Sequence, residues 1–175
     1  MKAPAKLLKD GIDFAPWYNI ANRQLRELFP DNCGYVADLL ALTSPRCHIS
    51  RNVGFVRSIL DGDDYPVGIM PTVHRSLERY RISGKIYGKK TGCFAQNLRG
   101  NLSPITLDVH MARAFQVPQK TLFRRDIFER IYRNILRLSN EHGLKPAQTQ
   151  AAIWAGSLIS QNRKPGFFPI ELLAK

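Results

Sequence analysis

Three features of the sequence predict an all-α fold. Apolar residues recur at spacings of three and four along most of the chain. No stretch alternates apolar and polar residues with a period of two. Proline and glycine stand where the apolar stripes begin and end, the positions that open and close helices. With 175 residues, no internal repeat and no low-complexity tract, a single domain over 1–175 is expected, one core built from two helical lobes.

The elements follow in order. Residues 1–13 read as a loose basic arm. Pro16 suits a helical first turn, and Trp17, Ile20, Ala21, Leu25 and Leu28 form a stripe that stops at Phe29-Pro30. Asp31 or Asn32 is placed to cap the next helix, whose Tyr35, Val36, Leu39, Leu40 and Leu42 are apolar nearly all round, the pattern of a buried central helix. Ser44-Pro45 breaks it, leaving a short basic loop up to Asn52. Val53, Phe55, Val56, Ile59 and Leu60 then mark a helix, Asp61 to Met70 a loop, and Pro71 to Tyr80 another helix. Beyond Pro118, Leu122 to Leu138 is the most amphipathic stretch. Phe123, Ile127, Ile131, Ile135 and Leu138 lie on one face; Arg124, Arg125, Arg130, Arg133 and Arg137 lie on the other. That arginine face fits ordinary solvation and DNA contact equally. Gly143 is a C-cap, Lys145-Pro146-Ala147 restarts a helix through Leu158, and residues 161–175 form a tail expected to wrap the body.

Charge narrows the function. There are 26 Lys+Arg against 14 Asp+Glu, a net charge of +12, so nucleic acid or an anionic membrane surface is the natural partner. No run is apolar for the roughly 18 residues a membrane span requires, and the N-terminus lacks the apolar core of a signal peptide. Cys33, Cys47 and Cys93 form no CxxC pair and no zinc or iron–sulfur set. They read as thiols of a reducing cytoplasm, and neither metal nor cofactor is expected.

The stretch from Ser83 to Phe115 carries the chemistry. It reads as two helices around a hairpin, then a polar loop, then an aspartate opening a third helix. Gly84-Lys85-Ile86-Tyr87-Gly88 is the turn, and Lys89-Lys90-Thr91 begin the helix after it. Exposed backbone amides at such a helix start, with lysines beside them, grip a nucleic-acid backbone without reading sequence. Asp108 follows Lys90 by eighteen residues, at a helix N-cap.

These residues resemble the helix-hairpin-helix superfamily of DNA glycosylases, which includes endonuclease III and the 8-oxoguanine glycosylases. The family hairpin has the form Leu-Pro-Gly-Val-Gly-x-Lys-Thr, and Gly88-Lys89-Lys90-Thr91 matches its end. Ile86 stands where the first glycine would be and Lys85 where the proline would be, so the turn is expected to differ. Leu107-Asp108-Val109-His110-Met111 matches the acidic motif Val-Asp-x-His, and Arg113 falls where its helix often carries a basic residue. Leu42-Thr43-Ser44-Pro45-Arg46 is similar to the segment Leu-Leu-Ser-x-Gln, whose loop wedges into the duplex. The iron–sulfur cysteines of endonuclease III have no counterpart. The length is close to that of small phage- or plasmid-borne relatives.

The resemblance implies a cytoplasmic, monomeric DNA glycosylase acting on double-stranded DNA with a flipped base. Asp108 would be the catalytic carboxylate and Lys90 would hold the position of the Schiff-base lysine of members with lyase activity. Gly84, Lys85, Gly88, Lys89, Thr91, His110 and Arg113 would meet the DNA. Ser44, Pro45 and Arg46 would form the wedge, with His48, Arg51 and Asn52 near it. Gln150 and Trp154, one turn apart, would line a base pocket.

Each role has a plainer counterpart in the residues themselves. Asp108 is also what a helix N-cap looks like, and the three lysines are also what a phosphate contact looks like. Which of Lys89 and Lys90 faces inward turns on one helical step of about 100°. Arg46 serves equally as wedge or phosphate clamp, whereas a tryptophan such as Trp154 is more often a core residue. A DNA-binding protein without catalysis, or one that modifies a base, fits the same scaffold.

Overall fold

A computed structural model describes residues 3–173. Among them are nine α-helices and no strand: α1 (Pro4–Asp10), α2 (Trp17–Leu28), α3 (Cys33–Thr43), α4 (Ile49–Leu60), α5 (Pro71–Ser83), α6 (Lys89–Leu98), α7 (Val109–Ala114), α8 (Arg125–His142) and α9 (Pro146–Ile159). The fold is all-α. No helix among the described residues is long and apolar enough to cross a membrane. The chain gathers into two compact units. The first comprises Met1–Ile20 and Gly100–Pro165, the second Ala21–Arg99 and Gly166–Lys175.

In the first unit α9 is the central helix. Ala151, Ala152, Ile153, Ala155 and Leu158 are all buried, and α1, α7 and α8 pack around it. Residues 3–13 are not the loose arm expected from their lysines; Met1 and Lys2 of that stretch lie outside the described residues. Leu7 and Leu8 on α1 are buried, and the helix lies with its backbone against α9. Two glycines permit this approach: a Cβ on Gly156 would come within 1.9 Å of the Leu7 carbonyl oxygen, and one on Gly11 within 2.2 Å of that of Ala152. Ile131, Ile135 and Leu138 of α8 join Leu7, Leu8, Ile105, Leu107 and Met111 in one apolar cluster. Helix α8 starts at Arg125 rather than Leu122, after a 3-10 turn at Gln119–Thr121, so Phe123 precedes it and is partly exposed. Its arginines are largely engaged. Arg124 pairs with Asp126 at 3.2 Å, Arg125 with Glu129 at 2.9 Å, and Arg137 with Glu141 at 2.5 Å.

In the second unit the central position falls to α3, as its all-round apolar pattern predicts: Val36 to Thr43 are buried, and α4, α5 and α6 pack on it. The tail returns here. Phe168 is buried and stacks on Phe94 at 6.2 Å between ring centroids, and the 3-10 turn Ile170–Leu173 lies on α4. Within this apolar setting α3 carries one acid, Asp38, 1% exposed. Its Oδ2 accepts hydrogen bonds from the Tyr80 hydroxyl at 2.6 Å and from the Arg99 guanidinium. Tyr80 is on α5 and Arg99 is the C-cap of α6, so one buried carboxylate ties both helices that flank the hairpin to the central helix.

Candidate nucleic-acid interface

The hairpin is built by two glycines. Helix α5 ends at Ser83, and Gly84 takes the left-handed conformation with φ 65°, donating its N–H to the Tyr80 carbonyl at 2.7 Å. Gly88, with φ 106° and ψ 128°, turns the chain into α6 in a region that side-chain-bearing residues avoid. Between them the Ser83 hydroxyl accepts the Lys85 N–H at 3.2 Å while donating to the Arg79 carbonyl at 2.7 Å. The turn therefore closes with Lys85, Ile86 and Tyr87 between its two glycines.

Gly88 has no side chain to cap α6. The first amide to bond is that of Gly92, to the Gly88 carbonyl at 2.8 Å. The amides of Lys89, Lys90 and Thr91 are bonded to no described residue, and they point out of the start of a ten-residue helix. Lys85 and Lys89 are exposed, whereas Lys90 and Thr91 are half-buried against the unit. Of the two adjacent lysines, Lys90 is the one that turns inward. Arg75 and Arg79 on α5 add exposed cations, and the Arg79 guanidinium lies 5.5 Å from the centre of the Tyr87 ring.

The loop after α3 is shorter than its sequence suggests, because α4 already begins at Ile49 and takes in Arg51 and Asn52. Ser44 donates to the Ala41 carbonyl at 2.8 Å, which closes α3. Arg46, at the tip, is exposed and sits in the left-handed region with φ 53°, a strained placement for a side-chain-bearing residue. His48 is exposed and its ring shares a hydrogen bond with Ser50 at 3.0 Å. Arg51 bonds the Gly68 carbonyl at 3.2 Å and lies 5.2 Å over the Phe55 ring, forming with Pro45, Arg46 and Cys47 the wall of a small pocket. Burial pushes the Cys47 thiol pKa up, and Arg51 partly opposes it. Asn52 does not belong to a DNA surface in this arrangement. It is 2% exposed, its amide donating to the Leu40 carbonyl at 3.0 Å and accepting the Thr43 hydroxyl at 2.5 Å. It locks α4 to α3.

In the first unit Ile105 and Leu107 are buried and present Asp108 at the start of α7. Its Oδ1 accepts the amides of His110 at 2.9 Å and Met111 at 3.0 Å; Oδ2 accepts no hydrogen bond from the described residues. The cap is thus real, and it occupies one oxygen of a half-buried carboxylate. His110 is half-buried, and Arg113 is exposed and reaches Gln161 at 3.4 Å. Asp108, His110 and Arg113 stand together on one short helix of the first unit; the hairpin and Lys90 belong to the second.

Gln150 and Trp154 do not line an open pocket. Gln150 is 3% exposed and accepts the Tyr18 hydroxyl at 2.9 Å. Trp154 packs on the apolar cluster, its ring 6.0 Å from that of Trp17. Gln150 is thus a core residue of α9, and Trp154 is partly buried beside it. Asp38 and Arg99 are the polar residues that sequence reasoning passed over. The signal was present: a lone aspartate inside Tyr-Val-Ala-Asp-Leu-Leu-Ala-Leu must find partners or be expelled from the core.

The match to known proteins covers nearly the whole chain. The model of a Family of unknown function (DUF7178) matches residues 3–162. The chain belongs to this family. The matched region takes in all nine helices of this family member, including the hairpin and the α7 cap. No curated protein and no solved structure matches the chain.

Proposed function

We propose that the chain is a DNA glycosylase that holds double-stranded DNA through the α5–α6 hairpin and excises a damaged or modified base. The hairpin carries the reading. Two positive-φ glycines hold open the amides of Lys89, Lys90 and Thr91 beside Lys85 and Lys89, a site for phosphate that needs no base contact. The net charge of +12 suits the same partner.

For the chemistry, the resemblance of Leu107–Met111 to the glycosylase motif assigns the acid to Asp108. Unpairing a base costs a few kcal/mol, least for a mismatched or damaged one. As the bond between base and C1′ breaks, its electron pair leaves with the base nitrogen and positive charge grows on the sugar. A carboxylate oxygen lowers that barrier electrostatically. Asp108 has such an oxygen to offer in Oδ2, because its capping bonds use Oδ1. Water then bonds to C1′, and the proton it gives up goes to the departing base nitrogen. The resemblance assigns the amine of a lyase step to Lys90.

The test is base release from duplexes carrying a panel of lesions and modified bases. Wild type should release one of them and Asp108→Asn should not. Borohydride should trap a covalent adduct that Lys90→Ala loses if the lyase step operates. The capping role of Asp108 favours one other reading, a DNA-binding protein without catalysis. That reading predicts that no base is released and that DNA affinity ignores Asp108→Asn.

A further inference from the structure

The hairpin exposes more than cations. Ile82 is 88% exposed and Tyr87 56% exposed, on either side of Gly84. Arg75, Arg79 and Ile82 follow one another at i, i+4 and i+7, which puts them on one stripe of α5. Val73 and Leu77 point the other way, into the unit. The Arg79 guanidinium covers part of the Tyr87 ring from 5.5 Å, and more than half of the side chain still meets solvent. The acid on the same helix, Glu78, faces His74 at 3.7 Å and leaves the stripe basic.

A single exposed apolar residue means little. A cation-backed tyrosine and a bare isoleucine on a basic hairpin form a surface with a definite complement. Contact with a paired duplex backbone uses amides and lysines and has no need of an aromatic face. The face of a base in a duplex is already covered by its neighbours. An unpaired base offers that face, and stacking on an aromatic ring next to an arginine is how single strands are held.

We propose that Tyr87, with Arg79 and Ile82 beside it, is a stacking platform for an unpaired DNA base, so that the hairpin prefers DNA interrupted by a short single-stranded gap to fully paired duplex. The inference rests on the DNA-binding part of the reading above and is independent of base excision.

The test compares a paired duplex with the same duplex carrying a short gap that contains 2-aminopurine, whose fluorescence falls when it stacks. Wild type should bind the gapped DNA about tenfold more tightly and quench the probe. Tyr87→Ala should bind both DNAs alike without quenching, and Tyr87→Phe should behave as wild type. Lys85→Ala with Lys89→Ala should weaken both DNAs in the same proportion. Equal binding of the two DNAs by wild type, or a preference that survives Tyr87→Ala, overturns the platform and leaves duplex binding standing. No salt-dependent binding of either DNA overturns both readings. Tighter binding of an unpaired RNA of the same sequence overturns the choice of DNA.

Discussion

The Tyr80 hydroxyl donates to Asp38 Oδ2 at 2.6 Å, joining the last turns of α5 to the middle of α3. Arg99 bonds the same oxygen from the end of α6, so the hairpin between Ser83 and Lys89 is braced on both sides from a single carboxylate. Asp38 Oδ1 is enclosed without a partner, which leaves the whole attachment to Oδ2.

Tyr80→Phe should therefore destabilise the chain by about 1 kcal/mol, and Asp38→Asn by about 1–3 kcal/mol, since it strips the charge from the bond to Arg99. Denaturant midpoints measure both. Hydrogen exchange should quicken at the end of α5 and the hairpin before it does in α9. Loss spread evenly over both units would show that the clamp is not local.

The same bond makes stability depend on pH. Burial, and then the Asp38 carboxylate, raises the Tyr80 pKa above its ordinary 10.0. A raised pKa means the folded chain holds the proton more tightly, so this stability is complete below about pH 10 and is lost as pH rises further. Tyr80→Phe should be less sensitive than wild type to that alkaline range in equilibrium unfolding. An identical alkaline slope for the two chains would sink the assignment.

Asp108 offers a way to separate a cap from a catalyst. Asparagine caps a helix as well as aspartate does, whereas alanine costs about 1 kcal/mol. Asp108→Asn should unfold at the wild-type denaturant concentration while its base release falls by about 100-fold or more. Asp108→Ala should lose both. Activity retained in the asparagine variant would reduce Asp108 to its capping bonds.

Gly88→Ala should destabilise by about 1–2 kcal/mol through backbone strain alone. At φ 106° a Cβ meets only the Thr91 hydroxyl at 3.8 Å, so space is not the obstacle. Gly84→Asn, at φ 65°, should be tolerated, because asparagine accepts the left-handed conformation. Thermal unfolding of the two variants decides between strain and crowding.

Each lysine that neutralises a phosphate contributes to the salt dependence of binding. Lys85→Ala and Lys89→Ala should each reduce the slope of log affinity against log salt by about 1 for duplex DNA. Arg125→Ala on α8, whose guanidinium is held by Glu129, should leave the slope unchanged. A slope set by α8 instead would move the interface to the first unit.

Much of the helical architecture was legible because the signals for it are local. Pro16, Pro71 and Pro146 open helices, Gly84 and Gly143 close them at φ 65° and 64°, and Asp108 caps α7 through bonds to the amides of His110 and Met111. Each of these depends on backbone conformation and neighbours within one turn, and so does the five-residue hairpin. The apolar periodicity likewise marked α3 as central, since a helix apolar on every side has nowhere else to go.

Partnership across long separations was decided by the tertiary structure. Lysines made residues 1–13 look like a solvated arm, yet Gly156, far along the chain, lets α1 lie against α9 and bury Leu7 and Leu8. Asn52 and Gln150 carry the groups that bind DNA bases. Packing turned those groups to Leu40, Thr43 and Tyr18, because a buried amide must spend its hydrogen bonds internally. Asp38 is the converse, an acid whose neighbours in sequence offer no partner and whose partners Tyr80 and Arg99 come from two other helices. The sequence by itself determined where helices begin, where they end and which carry positive charge, for those follow from the near neighbours of each residue. The tertiary structure alone decided which polar side chains remain available to a ligand, for that depends on what the folded chain brings against them.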